Sequence, residues 1–316
     1  MSINVSEFCL AAEQTNYFDA VLIQNRKALE STSCPNKLAK IAASVAHLLP
    51  EAIRDQIKDY QTGKTQILII KGSKVIEEGN QVPNTPNAFP HPDVVKPLLF
   101  RAALGLMNGL VRSKPLINKD GSMQVNHVIP RAPRADFQVN SSAVDLDFHT
   151  DGMRRIEIPK SIALYCIRPQ EGANTYFIST AKVLDRLDHD TLAALREPKY
   201  SLENVDLLAN GAAFGTRHRH TISLPYAILD DDSVLRYSQE STGIDERSSR
   251  ALSNLREAIY AEERFVASLD KGDLLLFRND RTLHGRSTFP FEQDPAQRRW
   301  VLRQTSDLPT ATAIIK

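Results

Sequence analysis

Two segments 133 positions apart constrain this chain more than any other feature: His149-Thr150-Asp151, and the His284 of Leu283-His284-Gly285-Arg286. In extended backbone, side chains alternate faces, so His149 and Asp151 point one way and Thr150 the other. That spacing lets both groups hold one ion from adjacent positions, and the third ligand must arrive from a strand distant in sequence. Two imidazoles and a carboxylate cover one face of an octahedral metal and leave the opposite positions open, the ligand set of non-heme Fe(II) oxygenases. A lone His-x-Asp is a common tripeptide. Its weight comes from the second segment, where the turn Lys271-Gly272-Asp273 leads into the apolar strand Leu274-Leu275-Leu276-Phe277 and His284 follows just past it.

The surrounding pattern is compatible with such a convergence. Residues 145–148 read as strand before His149, and Gly152 permits a tight turn after Asp151. Upstream, Leu38, Ile41, Val45, Leu48 and Leu49 recur at helical spacing, as do Val95, Leu98, Leu99, Ala102 and Leu106 within 92–111. Residues 66–71 read as a strand and 79–92, with four prolines, as an irregular loop. From about residue 122 the pattern turns to strands: 123–129, 162–167, 175–178, 221–224, 234–237, 274–277 and 300–304. Helical insertions are expected at 181–195 and 245–268. Many strands with few helices between them suggest an antiparallel sandwich or barrel. No linker or repeat interrupts the chain, so the expectation is one domain over 1–316. A mostly helical layer (1–120) wraps a β core (121–316) that carries a lid at about 210–243.

Bulk properties narrow the function. Hydrophobic residues are 42% and charged residues 24% of 316, the mixture of a globular enzyme rather than a disordered tail. A formal net charge of +1 gives no field to draw the chain to nucleic acid or an anionic membrane. Apolar runs fall short of the roughly 18 residues that span a bilayer, and residues 1–10 lack the order of a secretory signal. A cytoplasmic location and a small-molecule substrate are expected. Cys9, Cys34 and Cys166 are too few and too scattered for a disulfide framework or a metal knuckle.

The segments Phe148-His149-Thr150-Asp151-Gly152, Leu283-His284-Gly285-Arg286-Ser287 and Arg299-Trp300-Val301-Leu302-Arg303, in that order and spacing, resemble the clavaminate synthase-like branch of the Fe(II)/2-oxoglutarate-dependent dioxygenases, within the taurine dioxygenase superfamily. Many members of that branch have Glu where this chain has Asp151. The shorter arm keeps the carboxylate, which a halogenating relative lacks, so Asp151 points to hydroxylation. The resemblance implies an α+β fold with a mainly β core, a double-stranded β-helix (jelly roll) wrapped by N-terminal and inserted helices. It implies Fe(II), 2-oxoglutarate and O2 as cofactor and cosubstrates, with His149, Asp151 and His284 on the metal. It further implies that Arg299 clamps the distal carboxylate of 2-oxoglutarate and that Thr175 bonds the same carboxylate, although Ala173 stands where a second Gly is common.

On a strand, Arg299 and Arg303 share a face and Arg298 points away. Arg303 is then placed for a substrate carboxylate, while Arg298 is a further cosubstrate candidate or a surface residue. The segment 223–243 resembles the family's variable lid and the strand after it. Its acidic groups Asp231 and Glu240, with Ser238, are candidates for a substrate ammonium or guanidinium; the plainer reading of the Asp230-Asp231-Asp232 run is a solvated turn. Ser142, or Ser141, is a candidate for the amino group. The reading is hydroxylation of a free amino acid or derivative; alternatives are a dioxygenase of a sulfonate or other organic acid, a non-redox small-acid-binding barrel, and a zinc hydrolase. Other motifs carry less. Gly63-Lys64-Thr65 lacks the upstream glycine of a phosphate-binding loop. His218 and His220 have no carboxylate at useful spacing, and His127 reads as a barrel residue.

Overall fold

The structure is a computed structural model, and it describes residues 3–9, 51–71, 114–116, 125–130, 142–153, 155–202 and 225–308. The expected helices within 38–49 and 92–111, the loop 79–92, the strand 221–224, residues 210–224 of the lid, and Cys34, Ser141, His218 and His220 lie outside the described residues.

Two sheets organise the rest. The larger has seven strands: β1 (Val5–Cys9), β2 (Ile67–Lys71), β3 (Lys114–Pro115), β4 (Val125–Val128), β6 (Ser161–Arg168), β11 (Leu274–Arg278) and β13 (Trp300–Asp307). They run in the order β1-β2-β11-β6-β13-β3, and β4 also pairs with β13. The smaller sheet is ordered β10-β7-β12-β5, from Phe265–Ala267, Thr175–Ser179, Thr282–Arg286 and Leu146–His149. Strands β8 (Tyr200–Leu202) and β9 (Ser241–Gly243) form a separate pair.

Alternation of side chains sorts these strands into layers. Ile162, Leu164, Cys166, Leu275, Phe277 and Val301 of the large sheet meet Phe177 and Ala267 of the small one in a single buried cluster. On its other face the small sheet gives Phe148, Tyr176, Ile178 and Leu283 to a second cluster. That cluster packs under the helices α2 (Thr180–Leu184), α3 (His189–Arg196) and α4 (Glu246–Tyr260). Before them in the chain, α1 (Glu51–Thr62) buries Ile53, Ile57 and Tyr60 at helical spacing. The buried Arg278 closes its end, donating to the carbonyls of Tyr60 and Gln61, where a cation opposes the helix dipole. At Gly285 a Cβ would stand 2.2 Å from Cε2 of Tyr176 and 2.6 Å from the Leu146 carbonyl, so β12 and β5 approach this closely only with glycine there.

Several sequence expectations need correction. The helix expected over 181–195 is two, because Asp188 caps a new start by accepting from the Thr191 amide at 2.7 Å. The helix expected over 245–268 begins with a capping box at Asp245 and Ser248 but stops at Tyr260. Residues 265–267 pair with β7 instead, where Ala267 gains burial between the sheets. Segment 234–237 makes no regular ladder, and only Leu235 bridges to Leu229. Strand β13 runs three residues further than expected. His284 follows β11 as expected, and it lies in the middle of a further strand, β12.

Candidate metal and cosubstrate site

Register brings the two histidines together. His284 on β12 is paired with His149 on β5, and their neighbours Leu283 and Phe148 both face the helices. Both imidazoles therefore point into the space between the sheets, with ring centroids 4.2 Å apart. The ring of Phe277, from the large sheet, lies 4.6 Å from that of His284. Asp151 follows β5 in a turn that Gly152 completes at φ +70°. Its oxygens stand 3.7 Å from Nε2 of His149 and 3.8 Å from Nε2 of His284. Ligand atoms from all three residues lie within 4.8 Å of one another.

The protonation states suit a metal. Nδ1 of His149 donates to the Asp147 carbonyl at 2.8 Å, which leaves the Nε2 lone pair free. Burial, and then the neighbouring His149, push His284 down to about 3, so it is neutral at physiological pH. Burial works against ionisation of Asp151, but Arg303 and the two imidazoles outweigh it and hold the carboxyl well below the usual carboxylate range. Two imidazoles and one carboxylate turned toward one another fit a divalent transition metal with open positions.

Arg303 crosses from the large sheet. Its Nη1 donates to both carboxylate oxygens of Asp151, at 2.8 and 3.0 Å. The sequence places Arg303 toward a substrate carboxylate; the structure places it first on the metal-binding carboxylate. The Arg303 Nε is buried and has no hydrogen-bond partner.

A second cationic site lies beside the first. Val301 faces the intersheet cluster, and by alternation Arg303 shares that face; Arg299 immediately precedes β13, next to a register shift between Trp300 and Val301. Arg299 is buried and among the described residues has neither a carboxylate partner nor a side-chain hydrogen bond; its guanidinium lies 5.7 Å from the Phe289 ring. Arg286, two residues after His284, approaches the same ring at 5.0 Å. Burial and the charge of Arg299 lower Arg286 to about 10. Two buried cations over one ring form a cradle for an anion. Thr175, also buried, is in register with Arg286 and shares the inner face with Phe177. The carbonyl of Ser142 accepts from the Phe289 amide at 3.1 Å, and its hydroxyl is buried without a hydrogen-bond partner. Arg298 is buried rather than at the surface. It closes its own loop, donating to the carbonyls of Glu292 and Gln293 at 3.0 Å and stacking on Phe291.

On the remaining side a strap of residues 235–238 is sewn to the metal loop. Thr150 donates through Oγ1 to the Leu235 carbonyl at 2.7 Å and through its amide to that of Tyr237 at 2.9 Å. Arg236 donates to the carbonyls of Met153, Arg155 and Ile156. Ser238 ends this strap and donates to the half-buried Glu240 at 3.4 Å; no contact among the described residues brings either side chain to the metal cluster. Asp231 sits exposed on a reversal that Asp230 shapes by accepting from the Val234 amide. No contact among the described residues brings Asp231 to the metal cluster. His127 accepts at Nδ1 from the Trp300 indole at 3.0 Å, but its Nε2 is buried without a hydrogen-bond partner, so the expected satisfied barrel histidine is satisfied on one side only. Sequence reasoning missed Arg286, Phe289 and Asn279, the last of which bonds the backbone of Asp151.

The two buried histidines predict a pH dependence. Burial lowers His127 to about 4, and His284 lies lower still. Both take up a proton near 6.5 once unfolded, so the folded state binds fewer protons below that pH. The stability of metal-free protein is therefore full above 6.5 and falls as pH drops toward the folded values, by at most roughly 1.4 kcal/mol per pH unit for each histidine. Thermal unfolding between pH 7.5 and 5 checks this, and His127→Gln is expected to flatten the slope.

A facial set of two histidines and one carboxylate, held between two facing sheets beside a buried cationic cradle, defines a non-heme iron type of centre. Residues 100–305 match the family described as taurine catabolism dioxygenase TauD, TfdA family, and the chain belongs to that family of dioxygenases. It is similar to an L-lysine 3-hydroxylase of Catenulispora acidiphila, with 28% identity over 79% of this chain and 70% of that protein. It is also similar to an L-asparagine oxygenase of Streptomyces coelicolor, with 25% identity over 90% of this chain and 86% of that one. Among solved structures, the non-heme iron oxygenase OrfP in complex with Fe, succinate and (3S)-hydroxy-L-Arg superposes with a TM-score of 0.76, covering 98% of this chain and 96% of that one at 17% identity. That likeness shows the fold. No helix among the described residues is long and apolar enough to cross a membrane.

Proposed function

We propose that this chain catalyses the Fe(II)- and 2-oxoglutarate-dependent hydroxylation of an unactivated C–H bond in a free amino acid or a close derivative. The reaction consumes O2 and releases succinate and CO2. The observation that carries this reading is the convergence of His149, Asp151 and His284 from two distant places in the chain to within bonding reach of one ion. The relatives named above act on lysine and asparagine, and OrfP is solved with a hydroxylated arginine, which supports an α-amino acid here. The two facing sheets support a double-stranded β-helix core, and the unbroken strand pairing supports one catalytic domain.

Iron and 2-oxoglutarate, when bound, supply the oxidising power that converts C–H to C–OH. The protein supplies position and dryness. His149, Asp151 and His284 would hold the metal. Arg299, with the Thr175 hydroxyl, receives the distal carboxylate of 2-oxoglutarate, since a planar guanidinium bonds a carboxylate through two parallel donors. Arg303 offers its outer edge to the substrate carboxylate while its other nitrogen steadies Asp151. Glu240, Ser238 and Ser142 supply acceptors for the amino group or a polar side chain. The aromatic rings of Phe177 and Phe277 beside His284 exclude water from the inner wall.

Oxygen consumption and succinate release, measured with Fe(II), 2-oxoglutarate and a panel of the twenty amino acids, test this. One or a few amino acids are expected to raise turnover well above the uncoupled rate. Stimulation only by sulfonates or other organic acids would overturn the substrate class, and binding without oxygen uptake would overturn the chemistry.

A further inference from the structure

The two histidines owe their placement to the sheet, because His284 and His149 are register partners on adjacent strands. Asp151 lies beyond the end of β5, where no ladder holds its backbone. Its peptide groups are held instead by one side chain. The Asn279 Oδ1 accepts from the Asp151 amide at 2.9 Å, and its Nδ2 donates to the Asp151 carbonyl at 3.0 Å. A third bond, from Nδ2 to the Pro159 carbonyl at 2.8 Å, fixes which end of the amide faces which group. Asn279 is 1% exposed and occupies the turn between β11 and β12, five residues before His284.

We infer that Asn279 is the positioning residue of the metal centre: its side-chain amide replaces the missing ladder and locks Asp151 to the turn that leads from β11 of the large sheet into β12, the strand that carries His284. An aspartate has only two side-chain torsions, so a fixed backbone leaves its carboxylate few places to be. A freed backbone lets the carboxylate fall toward Arg303 and away from the two imidazoles. The inference rests on the metal centre proposed above and adds a residue that touches neither metal nor substrate.

The test is titration of metal-free protein with Mn(II) or Fe(II), followed by calorimetry, beside thermal unfolding of the same samples. Asn279→Ala is expected to weaken metal binding by about 10- to 100-fold, the range for groups that orient metal ligands. Asn279→Asp keeps the shape and the acceptor for the Asp151 amide but turns the donor edge against two carbonyls, and is expected to weaken binding too. The control is Tyr60→Phe, which removes another buried hydrogen bond, that between Tyr60 Oη and Ser161 Oγ at 2.7 Å. It is expected to lower the unfolding temperature and leave metal affinity unchanged. Hydrogen exchange of the wild-type apoprotein gives a measurement independent of any variant: the Asp151 amide is expected to be protected like those of β12. Wild-type protein that takes up no metal overturns the metal centre and this inference with it. Uptake by Asn279→Ala within twofold of wild type, or an unprotected Asp151 amide, overturns the inference alone.

Discussion

Replacing Asp151 by alanine is expected to abolish succinate formation above background and to unfold the metal-free protein at a lower temperature. The first effect follows from the ligand set. Asp151 is the one anionic ligand, and two imidazoles without it lose both the third donor and the charge that offsets the ferrous ion. A bound metal contributes several kcal/mol to a transition state, so loss on the order of a thousandfold or more is expected. The second effect follows from Arg303. Its Nη1 bonds both Asp151 oxygens, and breaking a buried pair from one side leaves a charge uncompensated, at a cost of up to about 3–5 kcal/mol. The pair is partly open on the Arg303 side, which is 27% exposed, so a smaller loss is expected here.

Two further variants separate these effects. Asp151→Asn keeps an oxygen for Arg303, so stability is largely retained while metal binding is lost. The double variant with Arg303→Met is expected to recover the stability that Asp151→Ala forfeits and none of the activity. Turnover above a tenth of wild type in Asp151→Ala would remove Asp151 from the ligand set.

That double role of Asp151 marks the boundary of what the sequence discloses. The period of two on β5 already put His149 and Asp151 on one side, and the apolar run 274–277 announced a core strand leading toward His284. Local chemistry was enough for those. Strand β12 was not legible, because Thr-Leu-His-Gly-Arg has neither strict alternation nor a β-branched run, and its extended form comes from pairing with β5 and β7 on either side. Residues 265–267 failed in the same way, read as the end of a helix until β7 offered them a ladder. Long side chains were harder still. Spacing offered a shared face for Arg299 and Arg303 if both lay on one strand, but β13 starts after Arg299, and only the distance between the sheets decides that Arg303 reaches Asp151. Arg298 read as a surface cation because its partners are carbonyls of its own loop. Asn279 carried a signal that pointed elsewhere: asparagine in Arg278-Asn279-Asp280 reads as a turn former, and nothing local shows that its amide meets a backbone 128 positions away.

Arg299→Met is expected to move activity and stability in opposite directions, which separates a cosubstrate clamp from a structural arginine. Without 2-oxoglutarate, Arg299 is a buried charge with no anion among the described residues, close to a second cation, Arg286, that shares its aromatic ring. Burial accordingly lowers its affinity for its own proton. An apolar side chain of similar length removes that desolvation and repulsion, and exchanges of this kind are often neutral or stabilising by about 1–4 kcal/mol. With 2-oxoglutarate the balance reverses. Truncating the guanidinium of a buried guanidinium–carboxylate pair costs about 2–5 kcal/mol, so the KM for 2-oxoglutarate is expected to rise between roughly thirtyfold and a few thousandfold. Arg299→Lys keeps the charge but not the two-donor fork, and belongs between the two.

Thermal unfolding with and without 2-oxoglutarate reads both halves at once. At a hundred times its Kd, the cosubstrate adds about 2.7 kcal/mol to wild-type stability. That increment is expected to vanish in Arg299→Met while the unliganded unfolding temperature holds or rises. A variant that unfolds earlier on its own and keeps its response to 2-oxoglutarate would make Arg299 a structural residue and leave Arg286 as the cation to which the distal carboxylate turns.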